Sequence, residues 1–293
     1  VNDTNRRFIS RPELDARCGG RLAGTRLDGL FVAGSLKALA APTVAVVGTR
    51  APSDAGRRLA HRLAAELGAA GVCVISGLAL GIDSAAHEGA LTAGAPTIGV
   101  LGGGHDHFFP ARNRELAARM IAGGGAVVSP YEPHVPARPY QFLARNGIVA
   151  TLADAVVVVE APARSGALNT ASWAADRSIP VMAVPGDVER PKVAGCLALI
   201  RDGALLVRDA ADVLEALGLG TVRPPGRRRS PAMPGVGGEL GRTIVGRLAG
   251  TPLRIDALLA GAESPGAVLA CIGELVSAGI VIETGDATLR LDA

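Results

Sequence analysis

From residue 43 the chain alternates short, unbroken apolar runs with longer stretches whose apolar positions recur every three or four residues. TVAVVG (43–48), VCVIS (72–76), PTIGVL (96–101), AVVS (126–129), DAVVVVEA (154–161), IPVMAVP (179–185) and ALLV (204–207) lack the polar alternation of a half-solvated strand. They predict strands covered on both faces, as in a parallel sheet. The most hydrophobic of them, DAVVVVEA, is expected at the centre. Between the strands, segment 54–70 stacks Leu59, Leu63 and Leu67 on one side of a helix that Ser53 can cap. Further helices are predicted over 81–94, 113–123, around 145–152, 166–177 and 209–217. This alternation implies an α/β fold, a doubly wound parallel sheet of extended Rossmann type with right-handed crossovers, over residues 42–218. Residues 1–41 lack the alternation and are expected to form an irregular lead-in segment packed against that domain.

The pattern stops at residues 219–238. LGTVRPPGRRRSPAMPGVGG has no periodicity and is rich in Pro, Gly and Arg, the composition of a flexible linker. Beyond it, residues 239–293 predict helices over 239–249, 253–260 and 265–278. IVIET and ATLRL follow as a hairpin turning at Gly285-Asp286. Three helices and a hairpin are the pattern of a small winged-helix domain.

Charge refines this division. The chain carries a net +3, but residues 239–293 hold four arginines against seven acids, a net −3, while the linker holds four arginines and no acid. Positive charge therefore belongs to the large domain and the linker. The helix expected to enter a DNA groove, SPGAVLACIGELVSAG (264–279), contains no Arg or Lys. Groove reading relies on such side chains, so the tail domain reads as a protein-binding or regulatory element. The four cysteines form no CxxC pair, and the N-terminus lacks the apolar core of a secretory leader. No apolar run is long enough to span a membrane. A cytoplasmic protein is expected.

Glycine loops follow several strands: GTR (48–50), SGLALG, which opens with Ser76 and Gly77, LGGGHDHFFP (101–110) and EAPARSG (160–166). Ligands of such sheets bind beyond the carboxyl ends of the strands, so these loops should converge on one site. Gly48 permits a tight turn into a helix whose N-terminal amides attract anions, and Arg50 can clamp a phosphate. The glycines match neither GxGxxG nor GxxxxGK[ST], which disfavours dinucleotide binding and P-loop chemistry; no cofactor is expected. His105 and His107 flank Asp106, but no metal-ligand spacing accompanies them, and no metal is expected. Asp83 is expected to order its loop by accepting backbone amides. Ser165 has no evident His and Asp partners, and no other catalytic constellation emerges, so an enzyme is not expected.

VAVVGTR (44–50), VISGLALGIDSAAHEGAL (74–91), TIGVLGGGHDHFFPARN (97–113), FLARN (142–146), VVVVEAPARSGALNTA (156–171), VMAVPGDV (181–188) and GCLALIRDGALLV (195–207) occur in the order and spacing of the DprA (Smf) family. The resemblance spans roughly two thirds of the chain. It implies homodimers, binding and protection of single-stranded DNA, and delivery of that DNA to the RecA recombinase in natural transformation. Carried over by position, Arg50 resembles the family's phosphate-binding arginine. Phe142, Arg145 and Asn146 lie in its FPxRNR segment, where the aromatic can stack on a base while Arg and Asn meet the backbone. Ser165 and Gly166 resemble its phosphate-facing Ser-Gly turn. The chain departs from the family at Leu80, where a basic residue is usual, and at Gly147, Ala167 and Leu197, where polar or basic residues are usual. The competing readings are a nucleotide-binding sensor, or a nucleotide hydrolase of the related LOG-like superfamily. The hydrolases carry a glutamate on the helix that here reads GALNTASWAADR, which has none.

Overall fold

The computed structural model describes residues 6–220, 238–248, 251–260, 262, 264–284 and 287–291. The chain divides into two compact units, Val1–Thr221 and Val222–Ala293.

The large unit is built on one nine-stranded sheet. In chain order its elements begin with β1 (Arg7–Ser10), α1 (Arg11–Cys18), β2 (Gly29–Gly34), β3 (Thr43–Val47), α2 (Asp54–Ala69), β4 (Cys73–Ser76), α3 (Ile82–Thr92), β5 (Thr97–Val100) and α4 (Arg114–Ala122). They continue with β6 (Ala126–Ser129), α5 (Pro139–Thr151), β7 (Ala155–Val158), α6 (Gly166–Ala175), β8 (Val181–Ala183), α7 (Ala194–Arg201), β9 (Leu205–Leu206) and α8 (Ala210–Ala216). Strand order is β1-β2-β6-β5-β4-β3-β7-β8-β9, and β3 to β9 all pair in parallel. From β3 the chain winds outward one way through β4, β5 and β6, then returns beside β3 to wind the other way through β7, β8 and β9. The reversal leaves a crevice beyond the ends of β3 and β7.

Every residue of β3, β4, β5, β6 and β7 is buried, as unbroken apolar runs require. The two largest core clusters lie on opposite sheet faces. One is filled from α1, α5, α6 and α7, the other from α2, α3 and α8. A third gathers around Leu116, Ala117 and Met120 of α4. Ser53 caps α2 by accepting from the Gly56 amide at 3.0 Å. Helices α2 and α3 pack so closely that a Cβ on Gly89 would lie 2.1 Å from the His61 carbonyl oxygen. Gly89→Ala is therefore expected to cost about 1–3 kcal/mol in a denaturant melt, despite alanine's better helix propensity. A gain in stability would contradict this close approach.

Three expectations are corrected. Residues 7–34 are not irregular: β1 and β2 pair antiparallel with α1 between them in the chain, and β2 joins the sheet antiparallel to β6. Helix α5 begins at Pro139, six residues before the predicted start. Pro at its first turn and the Arg138 amide donating to Gln141 Oε1 at 2.5 Å set that start. The hydrophobic β7 is interior but lies two places from the centre, which β4 occupies.

The small unit contains α9 (Gly238–Leu248), β10 (Leu253–Arg254), α10 (Ile255–Leu259), α11 (Pro265–Ser277), β11 (Val281–Thr284) and β12 (Thr288–Leu291). Its sheet is antiparallel, in the order β10-β12-β11, and its core includes Ile244, Leu258, Ile272, Leu275 and Leu289. Strand β10 is an element that the sequence pattern had merged into a helix. Residues 221–237 of the predicted linker and the Gly285-Asp286 turn lie outside the described residues, while Gly238, placed in the linker, opens α9.

Candidate nucleic-acid interface

The loops after β3, β4 and β7 and the helices α5 and α6 enclose a cleft of about 270 Å³ at the crevice. Eight of the nine candidate residues border it: Gly48, Arg50, Gly77, Phe142, Arg145, Asn146, Ser165 and Gly166. Ser76 does not. It is fully buried, and its hydroxyl donates to the Val46 carbonyl at 2.7 Å, tying β4 to β3.

Two glycines are there because backbone and side chains crowd them. A Cβ on Gly48 would lie 2.6 Å from Ile82 Cγ1, and one on Gly77 would lie 2.4 Å from Arg145 Nη1. The glycine turn at Gly48 leads to the N-terminus of α2, but that anion site is already filled from within. The Ser53 amide donates to the Glu160 carboxylate at 2.7 Å, and the Thr49 amide donates to the Glu160 carbonyl, also at 2.7 Å. Glu160 is 2% exposed and fixes the loop that carries Arg50.

Arg50 and Arg145 differ in kind. Arg50 is exposed, makes no ion pair or side-chain hydrogen bond among the described residues, and stands 5.9 Å from the centroid of the Phe142 ring. It is a free cation at the rim. Arg145 is 4% exposed and forms the floor. Its Nη1 donates to the carbonyls of Gly77 and of Val100, the latter at 2.6 Å. Burial lowers its pKa to about 10. Near it, burial raises the pKa of the Asp83 carboxyl, while Arg145 and the amides of Ala79 and Gly77 pull it back down. Asp83 accepts from those amides at 3.3 Å and 3.1 Å, which orders the loop as its sequence position suggested.

Ser165 opens α6 and accepts from the Ala167 amide at 3.3 Å. Asn146 Nδ2 donates to the Gly166 carbonyl at 3.1 Å and lies 3.3 Å from Asn169 Oδ1, stapling α5 to α6 across the cleft wall. Arg164, exposed at the rim, also lines this cleft. A second cleft of about 390 Å³ adjoins, bordered by Arg57, Arg112 and Arg119 with Glu88 and Glu115, and Arg50 belongs to both. Arg112 thus lies close to the place left uncharged by Leu80, which borders the same cleft.

The histidines do not gather. His105 is buried with Nε2 3.0 Å from the Val127 carbonyl, and Asp106 is paired with Arg6. Among the described residues no group of three or more His, Cys, Asp or Glu side chains is placed to hold a metal ion. The thiols of Cys73 and Cys196 are buried, and burial pushes them up to about 12 and about 11, so they are poor nucleophiles.

Fold and cleft together define an α/β protein with a cleft at the switch point of a doubly wound sheet, the place where ligands of such sheets bind. Residues 27–218 match the model of the DNA recombination-mediator protein A family. The chain belongs to that family. It is 42% identical over 200 residues to protein Smf of Escherichia coli, covering 68% of this chain and 54% of that protein. It is 46% identical over 183 residues to a putative DNA processing protein DprA of Mycobacterium tuberculosis, covering 62% and 47%. The chain thus spans about half the length of these curated relatives. The structure of DprA from Streptococcus pneumoniae superposes with a TM-score of 0.66 at 37% identity, covering 73% of this chain and 75% of that one. DNA processing protein A from Helicobacter pylori, whose structure gives insight into a single-stranded DNA binding mode, superposes at 0.63 with 27% identity, covering 73% and 95%. No helix among the described residues is long and apolar enough to cross a membrane.

Proposed function

We propose that this protein is a non-enzymatic recombination mediator that holds single-stranded DNA in the cleft beyond β3 and β7, protects it and hands it to RecA in the cytoplasm. The observation that carries the reading is Arg50. It is an exposed guanidinium, unpaired among the described residues, beside an aromatic ring and shared by two arginine-bordered clefts. A cation and a ring together suit a phosphate followed by an unstacked base, which a duplex does not offer. Ser165 and Arg164 would meet the next phosphate. Arg145, whose donors serve carbonyls, supplies positive potential from below rather than a direct phosphate contact.

A homodimer would form along β9. This edge strand is unpaired on its outer side among the described residues, and its Leu205 and Leu206 are 51% and 46% exposed. The small unit is a winged helix used for protein contact: the exposed positions of α11 include Ala267, Leu269, Ala270 and Glu274, and none is basic.

Binding is tested with labelled oligo-dT and a matching duplex over a range of salt. Wild type should prefer the single strand. Arg50→Ala should weaken binding about tenfold or more and flatten the salt slope by about one unit. No binding at low salt, or an unchanged slope in the variant, overturns the assignment.

A further inference from the structure

The turn after the first parallel strand of a doubly wound sheet is where a free anion would ordinarily settle, because the leading amides of the next helix have no partner within it. In this chain a carboxylate from another strand already stands there. Glu160 follows β7, and its backbone is tied to the turn after β3: the Thr49 amide donates to its carbonyl at 2.7 Å. Its side chain reaches across to α2, where Oε2 accepts from the Ser53 amide, also at 2.7 Å. It lies so close to the first helical turn that a Cβ on Gly56 would be 2.3 Å from Oε2. The residue is 2% exposed, so a carboxylate has been placed where no solvent answers its charge. A phosphate oxygen accepting from the Ser53 amide would need the position that Oε2 holds. Any phosphate brought beside it would meet like charge at close range. Arg50, three residues before Ser53, stays exposed and unpaired among the described residues, because the carboxylate takes an amide and not the guanidinium.

We infer that Glu160 is a specificity-determining residue: it stands in for a phosphate at the head of α2 and closes that turn to free phosphate and to mononucleotides. Phosphate binding is thereby left to Arg50 and the rim. A mononucleotide finds a single contact there, whereas a strand engages several in succession. The preference for a strand over its monomers rests on the single-strand reading of the cleft; the closed turn does not.

The experiment follows thermal melting of the full chain in inorganic phosphate against chloride of matched ionic strength. Glu160→Ala vacates the position. Phosphate should raise its melting temperature by about 2–4 °C and leave wild type unmoved. Glu160→Gln refills the position with a neutral acceptor for the Ser53 amide and should show no phosphate response. Glu160→Ser carries the same test as the alanine variant if alanine abolishes a cooperative melt. In competition, dTMP should displace labelled oligo-dT from Glu160→Ala at concentrations about tenfold lower than from wild type. An equal phosphate response in wild type or in Glu160→Gln, no response in the vacated variants, or equal competition by dTMP overturns the inference and leaves the single-strand reading intact. Failure of wild type to bind oligo-dT overturns that reading, and the phosphate melts still decide whether Glu160 closes the turn.

Discussion

Replacing Arg145 with methionine is expected to destabilise the large unit by about 3–5 kcal/mol, although methionine keeps most of the volume. Three losses coincide. The carbonyls of Gly77 and Val100 lose their donor. The 5%-exposed Asp83 loses the nearby positive charge that offsets its burial. The loop that carries Gly77 loses the side chain packed against it. Urea melts of wild type and variant measure the difference. A change below about 1 kcal/mol would mean that Asp83 is neutral in the folded protein and needs no counter-charge. The consequence for function is direct. Loss of DNA binding in an Arg145 variant reports the fold of the cleft, whereas loss in Arg50→Ala reports a contact.

The second large effect concerns acid stability. His87 is fully buried, and burial lowers its pKa from 6.5 to about 3. The Thr97 hydroxyl donates to the Val74 carbonyl at 2.6 Å, so it can only accept from His87 Nδ1, 2.8 Å away. The proton therefore sits on Nδ1, and Nε2 is buried without a partner among the described residues. Between pH 6.5 and about 3 the unfolded chain takes up a proton at this position and the folded chain does not. Stability is thus lost as pH falls, by about 1.4 kcal/mol per unit from His87 alone. The buried His105, whose pKa is also lowered by burial, acts in the same direction, while Asp83, whose pKa is raised, acts in the opposite one. Comparison with His87→Gln cancels both. The variant's stability should fall less steeply between pH 5.5 and 4.5 by about 1.4 kcal/mol per unit. Equal slopes would show that His87 gains its proton without unfolding.

The elements that the sequence revealed best are those whose evidence is local. The runs at 43–47 and 155–158 carry their own burial signature, and Ser53 announces α2. Strand β2 is different. GLFVAG becomes a strand because β6 offers it an antiparallel edge, and nothing within residues 29–34 names that partner. The two-residue strand β10 is likewise defined only by what it pairs with. The same division runs through the site. Loop convergence follows from topology, so the cleft could be placed from the strand pattern. The division of labour between Arg50 and Arg145 could not, because it depends on which guanidinium the fold buries. Glu160 was invisible for the same reason: its carboxylate fills a helix N-terminus 107 residues away in sequence.

The measurement that bears most directly on the account is photocrosslinking of the full chain to oligo-dT containing 4-thiothymidine, with the attached residues mapped by mass spectrometry. The account predicts crosslinks in the peptides bearing Arg50, Phe142 and Ser165, lost on competition with unlabelled single strand and retained with duplex. Crosslinks confined to residues 238–291, or to the helices α1, α7 and α8, would contradict it.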